Sequence, residues 1–233
     1  MSSRLAIVTG LASEIQLIRK AFARAGKAPP PLACAGASAA RARDLTMELI
    51  ANGAGAIVSF GVCGGLDPAR GAGDLILARE IVTDDGTRME TDSDLRGRLA
   101  AALARAGLGA ATGTLLGTDR PLATARDKRD RHAATGAIAV DMESHGVLAA
   151  AAEAGVTAAV LRAVADPATR DLPEAARVAT GPDGRVRPFV LMGALARRPG
   201  ALPAMIGLAL EARRGFAALR RIADPRAGLF GGD

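Results

Sequence analysis

Apolar residues along the chain fall into short runs separated by stretches with helical spacing, and this alternation predicts the elements. Leu5–Thr9 reads as a first buried strand that ends in a Gly turn at Gly10. Ser13 then opens a helix, with Gln16 completing a capping-box pattern and Leu17, Ile18, Ala21 and Phe22 forming its apolar face. A short strand at Leu32–Cys34 precedes a turn at Gly36 and a helix running from a Ser38 cap to about Asn52, ended by Gly53 and Gly55. Residues 56–60 form a second strong strand, followed by a Gly-rich run at 61–65. Strands at 74–78 and 81–83, a helix at 95–106 stopped by Gly107, a strand at 112–116, a helix at 126–134 and a strand at 137–140 follow. A helix at 142–154 ends at Gly155, and a buried strand at 158–164 stops at Asp166 and Pro167.

Strands alternating with helices predict an α/β domain whose sheet carries helices on both faces. A turn-rich break at 181–184 divides a main domain, 1–180, from a basic C-terminal extension, 181–233. In the extension Leu202, Met205, Ala209, Ala212, Phe216, Leu219 and Ala223 share one helical stripe. Arg214 and Arg221 lie opposite and Arg213 and Arg220 on a flank, so 202–223 is a basic amphipathic helix.

Composition narrows the function classes. Aromatic residues make up 2% of the chain, with no Trp and no Tyr, so the core is aliphatic and no platform exists for stacking single-stranded nucleic acid. The net charge of +6 is concentrated in 181–233, which holds nine Arg against four acids. Such a tail can meet phosphate, nucleic acid or an anionic membrane surface. Cys34 and Cys63 lack metal-type spacing, no metal is expected, and both read as small buried residues. No stretch of 18 or more apolar residues appears, and Leu5–Thr9 is too short for a signal peptide. A cytoplasmic protein with reduced thiols is the expectation.

Three features carry chemistry. In Val140-Asp141-Met142-Glu143-Ser144 a strand runs into a helix, and an acid in the helix's first turn sits where α/β sheets bind ligands. Glu143 there can accept hydrogen bonds from a vicinal diol, or simply complement the helix dipole. Asp166 closes a buried strand, where a desolvated carboxyl can hold a proton near neutrality, or it starts an Asp-Pro turn. Gly10-Leu11-Ala12-Ser13-Glu14 and the Gly61–Gly65 run let backbone approach a ligand, with Glu14 placed to activate water or to cap its helix.

In this order, GLxxE after the first strand, SFGVCGGLDPxxxxGDLILA, VDMES and a strand closing on Asp resemble the purine nucleoside phosphorylase and methylthioadenosine/adenosylhomocysteine nucleosidase family over roughly residues 4–180. The resemblance implies a central mixed β-sheet flanked by helices and cleavage of a purine N-ribosyl bond, with 1–180 as the catalytic domain. Asp166 would protonate the base and Glu14 activate water. Glu143 would hold the ribose hydroxyls, Met142 line the ribose, and Gly61, Val62, Cys63 and Gly64 border the pocket. Gly10 and Ser13 would face the phosphate or water side. No cofactor is implied, phosphate being a co-substrate in the phosphorylase branch, and a homo-oligomer is expected.

The departures matter. The GDPxR loop of phosphorylases is replaced by Gly10–Glu14, Ser59 and Val62 stand where an Arg and a Ser or Thr are usual, and Ala165 replaces the Ser before the acid. A phosphate site would need backbone N–H groups, Ser13, Arg41 or Arg43, so the residues favour water. The aromatic that covers the base is missing near 119–122, His145 reads as a packing residue and His132 as a surface one. GTDRPLATxxDK and HxxTGAIAVDMESHG, with the basic tail, are similar to the hopanoid-associated phosphorylase branch, which implies release of adenine from adenosylhopane, with phosphate as acceptor. A nucleoside with a lipid tail would bring 202–223 into peripheral contact with the inner face of a membrane, unless that helix packs on protein. A soluble methylthioadenosine/adenosylhomocysteine nucleosidase and a non-catalytic nucleoside-binding protein are the other readings.

Overall fold

The computed structural model describes residues 4–174 and 199–230. Eight strands, β1 (Leu5–Thr9), β2 (Leu32–Cys34), β3 (Ala56–Gly65), β4 (Leu75–Thr83), β5 (Arg88–Glu90), β6 (Ala110–Gly117), β7 (Ala139–Asp141) and β8 (Thr157–Asp166), form one mixed sheet. Six described helices surround it: α1 (Ala12–Arg24), α2 (Ala39–Ala51), α3 (Ser93–Arg105), α4 (Ala125–Thr135), α5 (Ser144–Ala154) and α6 (Leu202–Ala223). The α/β class, the mixed sheet and the flanking helices are as the sequence led one to expect.

The pairing does more than stack strands. β8 runs parallel to β3 and antiparallel to β4, while β3 also reaches β4 through β7 and β6. These contacts close β3, β8, β4, β6 and β7 into a ring. The closure puts Gly64 of β3 beside both Val140 of β7 and Asp166 of β8. Two chain segments 26 residues apart thus meet at one strand end.

Period-two alternation divides the strands between two cores. Ile7, Val58, Phe60, Ala159, Leu161 and Ala163 face α1, α3 and α6, where Phe22, Leu99, Leu219 and Ile222 pack on them. Ala6, Val8, Ile57, Ala158, Val160 and Val164 face α2 and α5, with Ala42, Val147 and Leu148. Ser59 and Arg162 fall in the second register, so two polar side chains enter an otherwise apolar face, and both are fully buried.

Several elements differ from the sequence reading. The 61–65 run is not a loop after β3 but its continuation, because β8 pairs with it to the end. The strands expected at 74–78 and 81–83 are one strand with a bulge between Ala78 and Glu80, and β5, too short to carry a pattern, was not expected. α1 starts at Ala12, so Ser13 is a helical residue and not the cap. The reciprocal role falls to Glu14, whose carboxylate accepts from Leu11 N–H. α5 starts at Ser144, leaving Glu143 at its N-cap with φ −127° and not in its first turn. His132 is half-buried, with Nδ1 2.8 Å from the Ala137 carbonyl.

The break at 181–184 and the division at 180 lie outside the described residues. Beyond them α6 packs across β8 and α1, burying Gly215, Leu219, Ile222 and Ala223, and Phe230 meets Phe60 edge-to-face at 5.3 Å. This part of the extension therefore shares the core of the main domain. Among the described residues no helix is long and apolar enough to cross a membrane.

Candidate active site

The strand ends gathered by the ring open into a pocket. Its walls include Gly10, Glu14, Val62, Cys63, Gly64, Met142, Glu143 and Asp166, all expected from the sequence. Gly61 lies directly behind Glu14. Ser13 is not brought in. Being the second residue of α1, it points outward and lines a separate cleft with Gln16 and Lys20. Arg41 and Arg43 are exposed on α2, and Arg43 pairs with Glu153. Pro121 and Leu122, from the stretch that lacks the aromatic, line the pocket together with Leu172, so this wall is aliphatic.

Three glycines each seat one carboxylate. A Cβ on Gly61 would lie 2.5 Å from Glu14 Oε1, one on Gly10 2.5 Å from Glu143 Oε1, and one on Gly64 3.2 Å from Asp166 Oδ2. A side chain at either of the first two would push the carboxylate out of its seat. The glycines read as ligand-cradling loops are thus, in the structure, recesses for acids.

Glu14 is held by backbone. Its Oε2 accepts from Gly10 N–H at 3.0 Å and Leu11 N–H at 2.8 Å, and its Oε1 from Val62 N–H at 2.7 Å. Burial raises its pKa, against the lowering influence of Arg162 and these N–H groups.

Beneath Glu143 lies a polar cluster that the sequence reading missed. Arg162 Nε donates to Asp141 Oδ2 at 2.5 Å, and Nη2 donates to Ser59 Oγ at 2.8 Å, Ser144 Oγ at 2.9 Å and Glu143 Oε2 at 3.5 Å. Asp141 also accepts from the N–H of Ser144 at 3.1 Å and from its hydroxyl. Nη1 of Arg162 is buried without a hydrogen-bond partner among the described residues. Burial alone would lower Arg162, but Asp141, Glu143 and Glu14 hold it above its ordinary value. Burial pushes Glu143 up to about 8, with Arg162 opposing and Asp141 and Glu14 adding to the rise. The signal was available: an Arg in the apolar run 158–164, in register with core-facing Val160 and Val164.

Asp166 has its own cation. Lys128 of α4, fully buried, donates to Asp166 Oδ2 at 2.5 Å and to the carbonyls of Pro167 and Arg170, both at 3.1 Å. That uses all three ammonium protons. Lys128 supplies the support that Ala165 cannot. Burial raises Asp166, Lys128 opposes, and Glu211 adds to the rise. Cys63 is buried in the same pocket, and burial pushes its thiol well up, so it is a wall and not a nucleophile.

The family model of the phosphorylase superfamily matches residues 4–184. The chain belongs to the phosphorylase superfamily. A search of curated proteins gives no match. Among solved structures, the 5′-methylthioadenosine/S-adenosylhomocysteine nucleosidase of Neisseria meningitidis, in complex with methylthio-immucillin-A, is 19% identical with a TM-score of 0.70, covering 96% of this chain and 98% of its own. The Helicobacter pylori nucleosidase with 5′-methylthioadenosine in its active site is 18% identical, TM-score 0.66, covering 84% and 100%. Futalosine hydrolase of H. pylori is 19% identical, TM-score 0.66, covering 88% and 97%. The superfamily fold of this chain is therefore that of nucleosidases, enzymes that cleave N-glycosyl bonds.

Proposed function

We propose that this enzyme hydrolyses the N-ribosyl bond of a purine nucleoside and that its substrate carries a lipid tail, adenine being released from adenosylhopane. The observation that carries the reading is the gathering of Glu14, Glu143 and Asp166 on one pocket, each seated on a glycine. Asp166, with a raised pKa, donates a proton to the departing base. Glu143 accepts hydrogen bonds from the ribose hydroxyls. The sugar gains oxocarbenium character beside an acid-rich wall that favours positive charge. Glu14 takes a proton from the attacking water.

Water is favoured over phosphate because the backbone donors at that end are already taken. The N–H groups of Gly10, Leu11 and Val62, the donors a phosphate would use, are engaged by Glu14. Glu14, once ionised, also repels an anion at that end. The lipid tail rests on the likeness of GTDRPLATxxDK and VDMESHG to the hopanoid-associated branch.

The test is adenine release from adenosylhopane in detergent or liposomes, beside methylthioadenosine, each with and without phosphate. Release from adenosylhopane without phosphate is expected. Strict phosphate dependence would overturn the acceptor, and preference for methylthioadenosine would replace the lipid substrate with a small soluble one.

A further inference from the structure

We infer that the outward face of α6 is a docking surface for an anionic lipid bilayer. The helix has two faces. Gly215, Leu219, Ile222 and Ala223 are buried against the sheet. On the other side Leu202, Ile206, Leu210, Arg213 and Arg220 fall within a sector of about 80° at the 3.6-residue period. Leu202, Ile206 and Leu210 are 50%, 53% and 53% exposed, so the N-terminal half of the helix presents large apolar side chains that the fold does not use.

This stripe runs into the larger cleft of about 960 Å³ between α1 and α6. Lys20, Arg24, Arg213, Arg220 and Arg226 line it, and Asp224 is the one carboxylate among its described lining residues. All five cations are exposed, and none pairs with a described carboxylate within 4 Å.

Apolar side chains flanked by a basic surface match a bilayer's acyl boundary beneath anionic head groups. A polyanion such as RNA accounts for the cations but leaves the apolar stripe unused. A second copy of the chain would bring like charges together.

The opposite, inward side of the same helix is linked to the active site. Glu211 of α6 binds Arg170, Nη2–Oε1 2.7 Å and Nε–Oε2 2.5 Å. The Arg170 carbonyl accepts from Lys128, which holds Asp166. The helix that carries the docking face is thus tied to the segment between Asp166 and Leu172, two residues of the pocket, which suits a nucleoside presented by a membrane. The docking itself does not depend on that substrate reading, and it is read without turnover.

The experiment is sedimentation of the full chain with phosphatidylcholine vesicles and with vesicles containing one-third phosphatidylglycerol, at low and high salt. Binding to the anionic vesicles, weakened by salt, is expected. Arg213→Gln with Arg220→Gln is expected to weaken it more than tenfold, each lost charge near the surface costing about fivefold. Ile206→Ser with Leu210→Ser is expected to weaken it by a similar factor at unchanged charge. Both pairs lie outside the pocket and keep turnover of a soluble nucleoside. Equal binding to both vesicle types, no binding, or binding untouched by either pair would overturn the inference. So would vesicle binding that RNA abolishes while the apolar pair has no effect, or loss of a dimer in the apolar pair with vesicle binding retained.

Discussion

The two ends of the pocket are built on different charge ratios. At one end a single carboxylate, Asp166, meets a single buried cation, Lys128. At the other, Glu14, Asp141 and Glu143 share one cation, Arg162. A balanced pair in a dry site can hold a proton on either partner or pass it to a base. An acid-rich cluster takes on an excess of negative charge as Glu143, pushed up to about 8, ionises, and that excess stabilises a cationic sugar and disfavours an anionic acceptor. The difference supports the proposed division, with proton donation at one end and sugar stabilisation at the other.

The largest effect is expected where the balanced end is cut. Asp166→Asn lowers kcat by about 10²–10⁴-fold by removing the acid. It also leaves Lys128 buried without a counter-charge, which costs about 3 kcal/mol. Asp166→Asn combined with Lys128→Met therefore regains most of the melting temperature and none of the turnover. If the double variant melts as low as the single one, Lys128 is not the partner that matters. If either keeps wild-type kcat, the acid lies elsewhere.

A smaller change sharpens the same comparison. Lys128 lowers Asp166 against the effects of burial and Glu211, so Lys128→Met with Asp166 retained lets the acid keep its proton to higher pH. The alkaline limb of kcat/KM moves to higher pH, and kcat falls about tenfold from lost orientation. The acid limb, which needs Glu14 ionised, stays where it was. An alkaline limb that does not move would assign it to another group.

How much of this could be read without coordinates follows from where each residue's partners lie. Glu14, Glu143 and Asp166 stand at strand ends, and strand ends show in the hydrophobic pattern. What their glycines do was hidden, because Gly10–Glu143 and Gly64–Asp166 are contacts across more than 100 residues made by the closed ring. Arg162 is legible as an anomaly in an apolar run, though its partners are not. Lys128 was not legible at all: α4 is polar around most of its circumference, and nothing local distinguishes the buried Lys from Arg126 or Arg129. The amphipathic pattern of 202–223 was right as a pattern, yet it could not say that the C-terminal half spends its apolar side on the sheet while Leu202, Ile206 and Leu210 do not.

The smallest effect separates two acids within the crowded end. Glu143 has a folded-state pKa of about 8 against an ordinary 4.5, so between those values the folded chain binds more protons than the unfolded one. Its contribution to stability therefore falls as pH rises through that window. Glu143→Gln removes the charge that must be buried, and Arg162 retains Asp141, Ser59 and Ser144. Stability to urea at pH 8.5 should rise by on the order of 1–2 kcal/mol, with little change at pH 4.5. Glu14→Gln should behave oppositely. Both Glu14 oxygens accept N–H groups, so an amide nitrogen in either place sets donor against donor, and stability falls at every pH. Equal responses of the two variants would mean that burial alone governs this end and that the backbone seat of Glu14 contributes nothing.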